Sequence, residues 1–151
     1  MVAYSFQTQF APDIQSGLKT HTIRGQRKRH ARPGEALQLY CKMRRPDCFK
    51  IIPDPTCRFV DPINILFNST EIISIWTGPD LQDEVMPRDL DAFARLDGFR
   101  DADAMHCFWQ RQKTTAVAGS NAREFDGVII GWGVHPLEVL YPSAVNRRGK
   151  N

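Results

Sequence analysis

The sequence predicts an α+β fold: a small, mostly antiparallel and partly closed β-structure with short helices packed on one side. Three observations predict it. Alternating, β-prone segments dominate residues 1–76, helical spacing of apolar residues is confined to short stretches, and one strong strand comes late, at 128–133. The alternation marks half-buried strands, which suit a small barrel better than a parallel sheet covered on both faces.

The elements follow in order. Residues 4–10 (YSFQTQF) alternate and carry aromatics, so they read as a strand. Phe10, Ile14 and Leu18 have helical spacing, Pro12 and Asp13 suit a first turn, and Gly17 keeps that helix short. Residues 20–24 (THTIR) are β-prone. A basic loop at 25–35 closes on the turn signal Pro33-Gly34 and leads into the strand 36–43. Residues 44–57 are a turn-rich excursion with Pro46, Pro53 and Pro55, and 58–68 and 69–76 read as two more strands. Residues 77–89 read as an acidic loop. A helix with Leu90, Phe93, Ala94 and Leu96 inward then ends at Gly98. Asp101 can cap a second helix whose apolar face holds Met105, Phe108 and Trp109. Residues 114–127 read as a loop, and 128–141 as the final strand and its continuation.

At 151 residues and 42% hydrophobic content the chain can build one core, which excludes wholesale disorder. No apolar run nears the ~20 residues of a membrane-spanning helix, and MVAYSFQTQF lacks the pattern of a secretory signal. The expected location is therefore cytoplasmic, with Cys41, Cys48, Cys57 and Cys107 as reduced thiols. No pair of them forms C-x-x-C, and none has zinc-finger spacing with His21, His30, His106 or His135, so neither metal nor cofactor is expected. Charge is uneven. Residues 1–50 carry ten Lys/Arg against three Asp/Glu, and residues 51–146 carry seven against fourteen. A basic half beside an acidic half can mark a phosphate-facing surface, or only a solvated face.

Three clusters can carry chemistry. In G-L-K-T-H-T-I-R, residues 17–24, an extended backbone puts Thr20, Thr22 and Arg24 on one face and His21 and Ile23 on the other. Lys19 and Thr22 converge only if the chain bends at Gly17–Lys19, which glycine permits. A hydroxyl becomes a nucleophile when a desolvated lysine takes its proton, and a carboxylate can order that lysine. The plainer alternative is a strand with threonine on its solvent face. The second cluster is the run Arg27, Lys28, Arg29, His30, Arg32, extended by Arg44 and Arg45, with Tyr40 and Phe49 as stacking faces for a base. The third is Asp97-Gly98-Phe99, where an acid sits at the helix end that favours positive charge. Trp132 between Gly131 and Gly133 marks a close approach, by a ligand or by packing.

Phe10, Ile14, Gly17, Lys19 through Arg24, Pro33-Gly34-Glu35 and the strand Leu37-Gln38-Leu39-Tyr40 together resemble the opening of ASCH-domain proteins. Residues 38–52 are similar to a longer ASCH subgroup with a methionine-arginine pair and cysteines after that strand, and 94–99 (ARLDGF) fits the downstream pattern. The resemblance implies a PUA-like small β-barrel with short flanking helices, as one domain at 1–145 followed by a basic tail at 146–151. One ASCH branch, the N4-acetylcytidine amidohydrolases, uses a lysine, a threonine and a glutamate. These map onto Lys19, Thr22 and Asp97, the last a methylene shorter than the family's glutamate. The resemblance thus implies a metal-independent amidohydrolase acting on N4-acylcytosine nucleosides. Thr20, Arg24, Arg27, Arg29, Tyr40 and Arg44 would bind substrate or phosphate. Lys19→Ala is expected to abolish turnover with little loss of fold. Other ASCH proteins bind or cleave RNA, so an RNA-binding module, or a ribonuclease with Tyr40, His21 or His30 as base, is the alternative. The expected partner is a nucleoside or RNA; no protein or membrane partner is indicated.

Overall fold

A computed structural model describes residues 1–144. Their regular elements are β1 (Val2–Phe6), α1 (Ala11–Ser16), β2 (His21–Gly25), β3 (Leu37–Cys41), β4 (Phe49–Lys50), β5 (Phe59–Phe67), β6 (Ile72–Thr77), β7 (Asp83–Glu84), α2 (Leu90–Leu96), α3 (Ala102–Gln110), β8 (Thr115–Ala116), β9 (Arg123–Gly131) and α4 (Pro136–Leu140). They form an α+β arrangement of two mostly antiparallel sheets with short helices. One sheet runs β1-β3-β4, with β1 parallel to β3. The other runs β2-β9-β5-β6-β7, antiparallel throughout, with β8 also on β9.

Local chemistry explains the boundaries. Pro12 opens α1, and Gly17 ends it at φ 85°. Asp101 caps α3 by accepting a hydrogen bond from the Ala104 N–H at 2.9 Å. Alternation along β1 and β3 buries Val2, Tyr4, Phe6, Leu37, Leu39 and Cys41 in one apolar cluster with Phe10 and Ile14. A second cluster joins Ile63, Ile65 and Phe67 of β5 to Phe93 of α2, Met105 and Trp109 of α3, and Ile129 of β9. Phe99 packs against both clusters.

The expected barrel does not close among the described residues. β1 and β2 are edge strands of different sheets. A side chain bridges them: the Arg24 guanidinium donates to the Ser5 carbonyl at 2.7 Å and lies 4.7 Å from the Phe6 ring centroid. Other expectations change as well: the first strand is Val2–Phe6 rather than 4–10, with Thr8–Phe10 in a 3-10 turn. The final strand starts at Arg123, inside the stretch read as a loop, because Glu124 and Asp126 alternate with inward Phe125 and Gly127. It stops at Gly131, and α4 follows, capped by His135 Nδ1 accepting from the Leu137 N–H at 3.1 Å. The acidic stretch 77–89 contributes a two-residue strand, β7, to the edge of the larger sheet. The basic tail expected at 146–151 lies outside the described residues. No helix among those described is long and apolar enough to cross a membrane.

Candidate functional site

Between the two sheet edges lies a cavity of about 620 Å³. Its lining combines Ser5, Phe6 and Gln7 from the β1 edge, Thr22 to Gly25 from β2, and Lys19, Phe10 and Asp97. Phe99 and α3 residues Phe108 and Trp109 complete the aromatic part, and Glu124 to Asp126 of β9 form another wall.

Lys19 reaches the cavity because the chain turns after Gly17. Its backbone N–H donates to the Asp13 carbonyl at 3.0 Å, folding the segment back on α1. The residue is 3% exposed, and its ammonium lies 5.1 Å from the Phe10 ring centroid. Nζ donates to Asp97 Oδ1 at 2.8 Å and to the Asp97 carbonyl at 2.7 Å. Burial pushes Lys19 below its ordinary value, against the opposing pull of the carboxylate. Asp97 experiences the reverse. Burial raises its carboxyl, while Lys19 and His21 together hold it below the usual carboxylate range.

The end of α2 sets Asp97 in place. The Gly98 N–H donates to the Arg95 carbonyl at 3.1 Å and the Phe99 N–H to the Ala94 carbonyl at 2.9 Å, a Schellman motif with Asp97 at the C-cap. Gly98 is required twice. Its φ is +95°, and a Cβ there would sit 2.8 Å from Phe10 Cδ1 and 3.2 Å from Lys19 Cδ. The acid that opposes the helix dipole thus has a cation of its own.

On the other face of β2, Arg24 Nε donates to Thr22 Oγ1 at 2.8 Å. Thr22 is 4% exposed. Since its oxygen accepts from a guanidinium, the hydroxyl proton is free to be given away, and the oxygen left behind would be stabilised. Burial pushes Arg24 down to about 10.

His21 is the part of this cluster that alternation hid. Counted from Thr22, it belongs to the opposite face. Counted from Lys19, it is the i+2 neighbour and shares its face. Its Nε2 lies 3.0 Å from Asp97 Oδ1, the contact through which it helps keep that carboxyl low. Burial keeps His21 below its ordinary value, so it is neutral beside Lys19.

The structure therefore brings Lys19, Thr22, Arg24 and Asp97 to one cavity. It does not bring Thr20, Arg27, Arg29, Tyr40 or Arg44 there. Thr20 packs where a Cβ on Gly133 would stand, 2.6 Å away. Arg27 lies over Tyr4 at 4.5 Å and donates to the Arg29 carbonyl at 2.9 Å, while Arg29 pairs with Glu35 at 2.6 Å. Tyr40 carries Lys50 over its ring at 5.6 Å, and Arg44 is exposed at φ 66°. Trp132 packs edge-on against Phe6 at 6.3 Å, and a Cβ on Gly131 would run into the Phe59 ring, so those glycines serve packing. Among the described residues no three His, Cys, Asp or Glu side chains cluster as a metal site needs. The lining from α3 and β9 was not anticipated; the apolar face of α3 with Met105, Phe108 and Trp109 was its only signal.

A buried amine with two fixed acceptors, a hydroxyl polarised by a guanidinium and a partly aromatic cavity can together support transfer of an acyl group to oxygen. No family model, curated protein or solved structure matches the chain.

Proposed function

We propose that the protein is a metal-independent amidohydrolase that removes the acyl group from N4-acylcytosine nucleosides, within a PUA-like ASCH fold. The observation that carries this reading is the double hold of Asp97 on Lys19. A neutral amine has two N–H bonds and one lone pair. With both hydrogens directed at the Asp97 carboxylate and carbonyl, the lone pair takes the remaining direction, and burial lowers the pH at which the Lys19 ammonium gives up its proton to reach that form.

The steps follow from these atoms. Lys19 accepts the Thr22 proton as Thr22 Oγ1 attacks the acyl carbon. The negative charge passes to the acyl oxygen, where remaining guanidinium N–H groups of Arg24 or a backbone N–H stabilise it. Collapse breaks the carbon–nitrogen bond, and the cytosine amino group takes its proton from the Lys19 ammonium. Water, activated by the same amine, then releases the acid from Thr22. Asp97 stays ionised and holds Lys19 at each stage.

The aspartate supports this scheme although it is a methylene shorter than the family's glutamate. A 1 Å misplacement of a catalytic group can cost ~100-fold in rate. Here the shorter side chain is combined with the residue's own carbonyl, and both reach Nζ within 2.8 Å.

The test is direct. Purified protein is incubated with N4-acetylcytidine, with and without EDTA, and loss of the acylcytosine absorbance is followed. Turnover is expected in both, and is expected to vanish in Lys19→Ala and Thr22→Val. Absence of turnover in the wild type would overturn the reading and move attention to RNA and the basic loop.

A further inference from the structure

We infer that Arg24 makes the cavity a binding site for a small carboxylate anion, the class of acid that the proposed reaction releases. The site itself rests on geometry; the origin of its occupant rests on the amidohydrolase reading.

Arg24 is a sheltered cation without a carboxylate of its own. It lines the cavity from β2, with its guanidinium 4.7 Å from the Phe6 ring centroid and 5.4 Å from that of Tyr4. A guanidinium has five N–H bonds. Nε donates to Thr22 Oγ1 and Nη2 to the Ser5 carbonyl, which fixes the group and leaves three bonds open. Both acceptors are neutral. Among the described residues Nη1 has no partner, and it is not sealed from solvent as the Trp109 and His135 nitrogens are. Asp97, the carboxylate whose charge Arg24 feels, is already held by Lys19 at 2.8 Å.

A partly desolvated cation with open donors favours an anion. Thr22 adds a donor, because its oxygen accepts from Arg24 and its own hydrogen is left for the ligand. One negative charge fits better than two. The lining already holds Asp97, Glu124 and Asp126, and Asp126 lies two residues along β9 from Val128, the cross-strand partner of Arg24. A doubly charged phosphate would meet these carboxylates. In the proposed hydrolysis, the acyl oxygen that Arg24 stabilises becomes one oxygen of the released acid. The product is thus left on the group that favoured its formation, and free carboxylate competes with substrate.

Lys19 responds to this occupant. The charged and titratable groups facing it are Asp97 at the end of α2, Arg24 and neutral His21 of β2, and Asp13 of α1. Two Nζ hydrogens are committed to Asp97. In the remaining direction Nζ presents a lone pair when neutral and a third N–H when protonated. An anion in the cavity therefore prefers the ammonium, and by linkage it raises the pH at which Lys19 titrates.

The test reads binding rather than turnover. Sodium acetate is titrated against chloride at constant ionic strength into isotope-labelled wild type. The Thr22 and Arg24 resonances are expected to shift saturably, and the Lys19 ¹³Cε titration to move to higher pH. Arg24→Gln is expected to bind acetate about tenfold or more weakly, as is inorganic phosphate with wild type. Absence of a saturable shift, an unchanged affinity in Arg24→Gln, or an unmoved Lys19 midpoint would overturn the inference. Phosphate binding as tight as acetate would overturn the choice of carboxylate. Should Arg24→Gln not fold, the wild-type Lys19 titration decides. Acetate binding by a protein that leaves N4-acetylcytidine intact would remove the amidohydrolase reading and keep the site.

Discussion

Lys19–Asp97 and Arg29–Glu35 are ion pairs of nearly equal length, 2.8 and 2.6 Å, in opposite surroundings. The first pair's side chains are 4% and 5% exposed, the second pair's 52% and 20%. In water, the Arg29–Glu35 attraction is screened and offset by the entropy of two ordered side chains. Around Lys19 the surrounding protein displaces most solvent, so the balance of burial against charge sets the protonation of each group. Contact distance alone therefore says little about what a pair does. Each pair has a third member, His21 at 3.0 Å from Asp97 Oδ1 and the N-terminal ammonium at 3.3 Å from Glu35 Oε2. The larger difference is burial, and the Asp97 carbonyl that gives Lys19 a second acceptor.

Removing Lys19 tests that contrast hardest. Lys19→Ala should reduce turnover of N4-acetylcytidine at least ~1,000-fold, the upper range of a lost general base. It should also destabilise the fold, because Asp97 would remain ionised and buried without its cation; breaking such a pair costs about 3–5 kcal/mol. Denaturant unfolding alongside the assay separates the two effects. The sequence alone leads to an expectation of little loss of fold; the 4% exposure of Asp97 changes that expectation to a measurable loss.

Gly98→Ala should follow. It forces a left-handed φ on alanine, costing about 1–2 kcal/mol, and pushes a methyl against Phe10. The displaced Asp97 should slow turnover on the order of 100-fold. An unchanged Tm together with unchanged kcat would show that α2 does not set the position of Asp97.

Asp97→Asn should keep both acceptors on Lys19 while removing the negative charge that raises its pKa. The rise of kcat/KM with pH should therefore move to lower pH. A shift in the other direction would exclude Lys19 as the group that must be neutral.

Acid should weaken the inner cluster. His21 has a folded pKa lowered from 6.5, so below pH 6.5 the unfolded chain binds the proton more readily and stability falls as pH drops. Asp97, also lowered in the fold, adds stability above its unfolded value near 3.8 that is lost as pH falls through its folded value. Unfolding midpoints measured from pH 7 downward should fall in both ranges, and His21→Gln should flatten the first. Glu35→Ala, the mildest change, should leave Tm and turnover indistinguishable from wild type.

Much of the site is legible in the sequence because its parts are local. Gly17, Lys19, Thr22 and Arg24 lie within eight residues, and the rules for a glycine turn and a strand alternation place them. Asp97 is legible as a conflict with the helix dipole. What could not be read is non-local. Nothing in residues 2–6 or 37–41 tells that β1 and β3 pair in parallel, since alternation is the same for either direction. The bridge across the seam between the sheets depends on Arg24 reaching a strand nineteen residues away.

The Lys19–Asp97 contact spans 78 residues of chain. A polypeptide emerging from the ribosome completes Lys19 and β2 long before the α2 terminus exists to meet them. Until then the lysine is an ordinary, strongly basic amine in water. Loop-closure entropy makes so distant a contact one of the costlier to form. The buried setting of this amine is accordingly acquired only with the docking of α2, and if the proposed activity is found, the rate at which refolding chains recover turnover would clock that docking step.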